Sequence, residues 1–336
     1  MKIGITAMTV LALGACSPSV ESNEKMDTSA ENQATIAPQT TTAPENTPVA
    51  EKTATDSRIW LEEVEGEKPL AWVRGENERS LARLEADPRF AELNAAALSV
   101  VNATDKIAYG RHRGGFVYNF WQDADNVHGI WRRTPLGEYA LGEPNWDVLI
   151  DFDALSEAEG ENWVYKGSSC LAPNYDKCII TVSRGGKDAS VRREFDLASK
   201  SFVEDGFVIP ESKGGFAWVD ADTLMVATDW GDGTMTDSGY PFVVKLWERG
   251  TPLADATTVL TGDKTDVAVS AFRVEMDDRG YMFAAEADTF YDTTWWYLPE
   301  GAAPVKLPVP SKTSVRAQFA GQAIFSLEDE WTHQGN

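Results

Sequence analysis

The sequence predicts a mainly β fold built from propeller-like blades, and three observations lead there. The first is the stretch from Cys178 to Asp229, which reads as strand, turn, strand, turn, strand, loop, and then begins the same pattern again. Ile179, Ile180 and Val182 form an apolar run of strand length, and Gly185-Gly186 supplies residues that tolerate the positive φ of a tight turn. Residues 191–195 run back, residues 197–200 turn again before 201–203, and residues 217–220 and 224–228 open the next round. The second observation is spacing. Strands that follow a turn begin near residues 106, 178, 223, 281 and 323, and these intervals centre on the roughly 40–60 residues of a four-stranded blade. The third is the aromatic load of 12 Trp and 14 Phe in 336 residues, since stacked sheets need bulky side chains between them. A pair of β-sandwiches is the competing arrangement of the same strands.

The N-terminal 15 residues read as a signal peptide, with Lys2 as the positive start, residues 3–13 as the apolar stretch and Gly14-Ala15 before the cleavage point. This run is too short to span a bilayer permanently. Leu13-Gly14-Ala15-Cys16 resembles a bacterial lipobox, which implies cleavage before Cys16 and lipid on that residue; a plain secretory signal with an incidental Cys is the alternative. Ser17 follows the Cys rather than Asp, which favours the outer membrane, facing the periplasm or the cell surface. Residues 16–55 are rich in Thr, Ala, Pro, Glu and Ser and hold no aromatic residue, so they read as a disordered tether. A flexible chain of that length spans roughly 35 Å.

Residues 56–101 change character. Pro69 suits a first helical turn, Leu70, Val73, Leu81 and Leu84 recur at helical spacing, Asp87-Pro88 breaks the run, and Phe90, Leu93, Ala97 and Val101 mark a second helix. Trp60 and Trp72 need a surface to cover, and two short helices cannot make a core alone, so the segment must pack on another part of the protein. Residues 102–336 then read as strands and tight turns to the end, with 106–111, 116–121 and 126–134 first and 323–327 last. Cys170 and Cys178 flank a turn-forming stretch. A hairpin there would bring them within disulfide range in an exported protein, and two buried thiols are the alternative.

Several phrases, in order, resemble the prolyl oligopeptidase family of serine peptidases. They are IWLEEV at 59–64, AWVR at 71–74, Asn77-Glu78-Arg79, FWQDAD at 120–125 and GIWRRT at 129–134. Further on come SRGG at 183–186, REFD at 193–196, Trp218 with Asp222-Thr223-Leu224, SGYP at 238–241 and RGTPL at 249–253. The resemblance implies a seven-bladed propeller over an α/β-hydrolase domain, with the N-terminal helices packed on the hydrolase. At about 50 residues per blade, residues 102–336 would supply four to five of the seven. It implies short proline-containing peptides as substrates, cut on the carboxyl side of proline, with the propeller gating their access. The triad would come from a hydrolase domain, either as a continuation or as a separate chain.

The chemistry of such a triad is not found in the residues. A nucleophile of this class sits on a G-x-S-x-G elbow. The nearest string, Gly167-Ser168-Ser169-Cys170-Leu171, has Leu for the last Gly and Pro173 where a helix should start. The histidines are His112, His128 and His333, and His128 falls in an expected strand as a packed or surface residue. Asp229, Asp232 and Asp237 miss a calcium-loop pattern, and a solvated blade loop accounts for them. Asp123/Asp125 and Asp151/Asp153 could serve a carbohydrate-handling propeller with two carboxylates, though Asp commonly ends strands. No catalytic, cofactor or metal residue is therefore assigned. A net charge of −23 argues against nucleic acid and fits an acidic exported surface. The chain is expected to be inactive alone; a non-catalytic lipoprotein propeller that binds peptide or a protein partner is the other function class.

Overall fold

The computed structural model describes residues 56–63, 65–276, 279–319 and 322–332. The expected signal peptide, Cys16 and the tether lie outside the described residues, as do Asp277 and Asp278 of one expected turn, and His333. Two compact units divide between Ala96 and Ala97.

The first unit holds a 3-10 turn, Ile59–Glu62, and helix α1, Glu67–Glu85. Pro69 is the third residue of α1 and is buried; its missing N–H is one that a helix start leaves unpaired anyway. Trp60 meets Trp72 edge-on at 6.2 Å, with the Lys68 ammonium 4.4 Å from the Trp60 ring. Beyond α1 the Asp87 carboxylate accepts the Arg89 backbone N–H at 2.9 Å, closing a turn before α2, Phe90–Val101, which crosses into the second unit. Leu70, Val73, Leu81, Leu84, Leu93 and Val101 are exposed.

The second unit is a series of antiparallel four-stranded meanders in chain order, the arrangement of propeller blades rather than of two sandwiches. The first sheet is β1 (Arg111–Arg113), β2 (Phe116–Trp121), β3 (Ile130–Pro135) and β4 (Asp147–Asp151), with helix α3 (Leu136–Ala140) between β3 and β4. Helix α4 (Phe152–Glu159) leads to the second sheet: β5 (Trp163–Cys170), β6 (Lys177–Arg184), β7 (Ser190–Asp196) and β8 (Ser201–Phe202), with β9 (Val208–Ser212) also on β7. The third is β10 (Gly215–Trp218), β11 (Thr223–Ala227), β12 (Val243–Glu248) and β13 (Thr257–Thr261). The fourth is β14 (Ala268–Met276), β15 (Arg279–Ala287), β16 (Thr293–Tyr297) and β17 (Val305–Lys306). A hairpin, β18 (Thr313–Phe319) and β19 (Gln322–Leu327), begins a fifth. Four sheets and a hairpin match the expected four to five blades.

The core lies between successive sheets. One cluster joins the first and second through Trp131, Phe152, Trp163, Ile180 and Phe195; a second joins the second and third through Ile179, Ile209, Trp218 and Leu224; a third joins the third and fourth through Val244, Leu260 and Val269. Central strands are therefore covered on both faces, which is why β6 carries a nearly continuous apolar run instead of strict alternation. Gly114 and Gly115, at φ 53° and 83°, close β1 onto β2 with a two-residue loop that needs positive φ at both positions.

Four expectations are corrected. The first strand is not 106–111 but the short edge Arg111–Arg113. The strand placed at 126–134 begins only at Ile130, because Asp123 ties 125 and 126 into a turn. Strands and turns do not run uninterrupted: α3, α4 and a 3-10 turn at Leu253–Asp255 intervene. The loop expected after 203 contains β9, which continues the edge begun by β8 along the same partner, β7.

Candidate functional site

The cavity that stands out in the second unit opens between the first and second sheets, about 520 Å³ in volume. Its walls include Arg111 and Arg113 from β1, Tyr118 from β2, and Tyr165, Lys166 and Ser168 from β5. Arg111 and Arg113 are two apart on one strand, so they project to the same face. Lys166 is placed by a bulge. Tyr165 pairs with Val182 and Gly167 with Thr181, so Lys166 is the extra residue of β5, and Gly167 takes φ 147°. A bulge turns one side chain away from regular alternation.

Arg113 is half-buried and fixed. Its guanidinium donates to Ser168 Oγ at 3.3 Å and to Ser168 O at 3.2 Å, and lies 3.4 Å from Cys170 Sγ and 5.9 Å from the centre of the Tyr118 ring. Burial lowers the Arg113 pKa, and the Arg111 charge adds to that against the opposing Tyr165 hydroxyl. Burial likewise raises the Tyr165 hydroxyl pKa. Among the described residues, no carboxylate lines the cavity. Sequence reasoning passed over these three cations because each lies in an ordinary strand. The available signal was the Arg-His-Arg alternation at 111–113 in a chain of net charge −23.

The residues weighed from sequence are dispersed. Cys170 and Cys178 face each other across β5 and β6, and their sulfurs are bonded. The string 167–171 lies along β5 and into the turn after it, not on a strand-to-helix elbow. His112 is exposed on β1. Asp123 is pulled down to about 2 by hydrogen bonds from the Trp121 indole and the Asn126 amide, which makes it a turn anchor and not half of a pair. Asp151 caps α4, accepting from the N–H groups of Asp153 and Ala154 at 2.9 and 3.0 Å. Asp229 accepts from Gly231 N–H, while Asp237 pairs with Lys264 at 3.1 Å, so the loop acids serve separate partners. Asp266, Glu286 and Asp288 do approach one another. Each already accepts a protein donor, from Asp263 N–H, the Trp296 indole and the Thr294 hydroxyl respectively.

His128 stands in the turn before β3, not in the strand expected for it, and acts as a staple. Its Nδ1 lies 2.7 Å from Asp153 Oδ1 and its Nε2 2.9 Å from Asn162 Oδ1. Acceptors at both ring nitrogens favour the doubly protonated ring, and the Asp153 hydrogen bond leads in raising the His128 pKa. Partial burial pushes the Asp153 carboxyl up, but the His128 ring and backbone donors more than offset it. The stabilisation from His128 is fully present below its ordinary value of 6.5 and is lost as pH rises through the raised value. That from Asp153 is present above 3.8 and is lost as pH falls through the lowered one. Denaturation midpoints should therefore show a shallow plateau between about pH 4 and 6.5, and Asp153→Asn should flatten the decline above it. Both side chains are about a third exposed, so the effect should stay under about 1 kcal/mol. A midpoint profile identical in the variant would refute the pairing.

Successive antiparallel meanders packed face to face, with an open groove between the first two, define a β-propeller domain. Residues 38–336 match the family model described as the prolyl oligopeptidase N-terminal beta-propeller domain, and the chain belongs to the prolyl oligopeptidase family. An uncharacterized peptidase of Sinorhizobium fredii is 40% identical over 287 residues, covering 84% of this chain and 40% of that protein. An uncharacterized peptidase of Rickettsia prowazekii is 31% identical over 285 residues, covering 81% and 40%. A solved structure of a post-proline cleaving enzyme from Rickettsia typhi superposes with a TM-score of 0.76 at 29% identity, over 82% of this chain and 42% of that one. The chain thus spans about 40% of the length of the curated relatives it matches, and it corresponds to their propeller part.

Proposed function

We propose that this chain is the propeller part of an exported peptidase that hydrolyses short peptides on the carboxyl side of proline. Here the propeller admits peptides and holds folded proteins out, and a hydrolase domain, continuous or separate, supplies Ser, Asp and His. The carrying observation is the family match across 38–336, joined to alignments that span about 40% of each peptidase relative. The exposed apolar residues of α1 and α2 fit the reading, since a hydrolase surface would cover them. Cleavage before Cys16 with lipid on that residue would tether the protein to the outer membrane, and export would preserve the bond between Cys170 and Cys178.

The test is turnover of a proline-containing chromogenic peptide. The 336-residue chain should give none, and the protein carrying the hydrolase part should give cleavage after proline. Turnover by the chain alone would refute the division of labour. Labelled palmitate should enter the wild-type chain but not Cys16→Ser; equal labelling would refute the anchor.

A further inference from the structure

We propose that the groove between β1 and β5 is a carboxylate subsite, in which Arg111, Arg113 and Lys166 hold an acidic group of a bound peptide. The inference deepens the peptidase reading by giving its propeller a preference among peptides.

Charge is the first argument. The chain carries 53 acidic and 30 basic residues, yet among the described residues this cavity gathers three cations and no carboxylate. A wall drawn at random from such a surface would be acidic, so the groove inverts the sign of the molecule around it. The second argument is the lack of a carboxylate in contact: Lys166 feels the Asp188 charge only from beyond ion-pair distance, and Lys213 already pairs with Asp188 at 3.4 Å. Among the described residues, Arg111 and Lys166 form no ion pair, and Arg113 spends its donors on a hydroxyl, a carbonyl and a sulfur. Arg111 and Arg113 repel one another, as the downward push of Arg111 on the Arg113 pKa records. An entering carboxylate relieves that repulsion and forms charge-assisted hydrogen bonds.

Preorganisation is the third argument. Ser168 and the Tyr118 face fix Arg113, the bulge at 166 sets Lys166, and the two-glycine loop anchors the short β1 that carries Arg111. A site whose donors are positioned beforehand loses less entropy on binding. The volume of about 520 Å³ admits an acidic side chain or a peptide terminus with its neighbours. Tyr118 and Tyr165 add flat walls for the peptide backbone.

The experiment is fluorescence polarisation on the full chain with labelled Ala-Ala-Pro-Glu-Glu as the free acid, the same peptide amidated, and amidated Ala-Ala-Pro-Gln-Gln. The acidic peptides should bind at least about tenfold more tightly than the neutral one, the scale of one charge-assisted hydrogen bond. The advantage should shrink as salt rises from 50 to 500 mM. Comparing free acid with amide separates a terminal carboxylate from a side-chain one. Arg111→Ala/Lys166→Ala should bring all three peptides to the affinity of the neutral one, and Arg111→Lys/Lys166→Arg should restore the difference. Non-specific attraction cannot mimic this result, because a chain of net charge −23 repels acidic peptides. Circular dichroism of the variants guards against unfolding, and both mutated positions are exposed. Equal affinity for the three peptides, no binding at all, or an acidic preference that survives the double alanine variant would each overturn the subsite. None of those outcomes touches cleavage after proline, which the turnover assay decides separately.

Discussion

Glu194→Gln should lower the stability of the propeller by about 3 kcal/mol, the loss expected when one partner of a buried ion pair is removed. Glu194 sits on β7 with its side chain 1% exposed. Its oxygens take Nη1 and Nη2 of Arg249 at 2.8 and 3.0 Å, and the N–H of Phe207 at 2.9 Å. The position follows from the split edge strand. Between β8 and β9 the ladder on β7 breaks, Gly206 turns back to Val203, and the Phe207 N–H would otherwise lose a partner inside the core. The carboxylate fills that gap and reaches Arg249, just after β12, so it links the second sheet to the third. Arg249 is held on Phe207 at 4.4 Å from the ring and also donates to Ala221 O. The Glu194 hydrogen bond leads in raising its pKa.

Two controls give the prediction its shape. Arg249→Ala leaves an uncompensated buried carboxylate and should cost a similar amount, whereas Glu194→Leu/Arg249→Met should cost clearly less than the sum of the single changes. Chemical denaturation supplies the free energies. At roughly 2–4 °C per kcal/mol for a unit of this size, the thermal midpoint of Glu194→Gln should fall by about 6–12 °C. A loss under about 1 kcal/mol would show that Asp222, 3.1 Å from Arg249 Nε, and Ala221 O satisfy the guanidinium without Glu194.

Strand-level organisation was readable because each central strand is covered on both sides. Ile179, Ile180 and Val182 had to be a buried strand, and Gly185-Gly186 had to turn. What escaped was set by tertiary contacts. The alternation that should have marked 208–212 is broken by Pro210, and β9 holds only through β7. Helix α4 was hidden by its own cap, since Asp151 and Asp153 looked like a strand edge when one was an N-cap and the other the partner of His128. The groove was invisible for another reason. Arg111, Arg113 and Lys166 come from strands some 53 to 55 positions apart, and only the packing of two sheets puts them together. The family resemblance, by contrast, was carried by local phrases that need no such assembly.

Phe152→Ala should be the other costly change, at about 3–5 kcal/mol, because it empties the joint between the first two sheets. Phe152 is fully buried at the first turn of α4. Its ring lies 6.1 Å from Phe120 and 5.1 Å from Tyr165, while its N–H donates to Gly129 O at 3.0 Å. The helix is therefore a plug. Asp151 starts it, Gly160 ends it in the left-handed region at φ 66°, and between them one aromatic is driven into the seam. Phe152→Leu keeps most of the volume and should cost under about 1.5 kcal/mol, and Asp151→Ala should cost about 1 kcal/mol through the lost cap. Phe120 and Tyr165 also line the groove. Phe152→Ala should then weaken binding of the acidic peptides while Phe152→Leu leaves it near wild type. If the alanine variant denatures within about 1 kcal/mol of wild type, the seam is held by Trp131 and Phe195 without the plug. A large loss of stability with unchanged peptide affinity would instead separate the joint from the groove, and would place the rigidity of Arg113 on Ser168 alone.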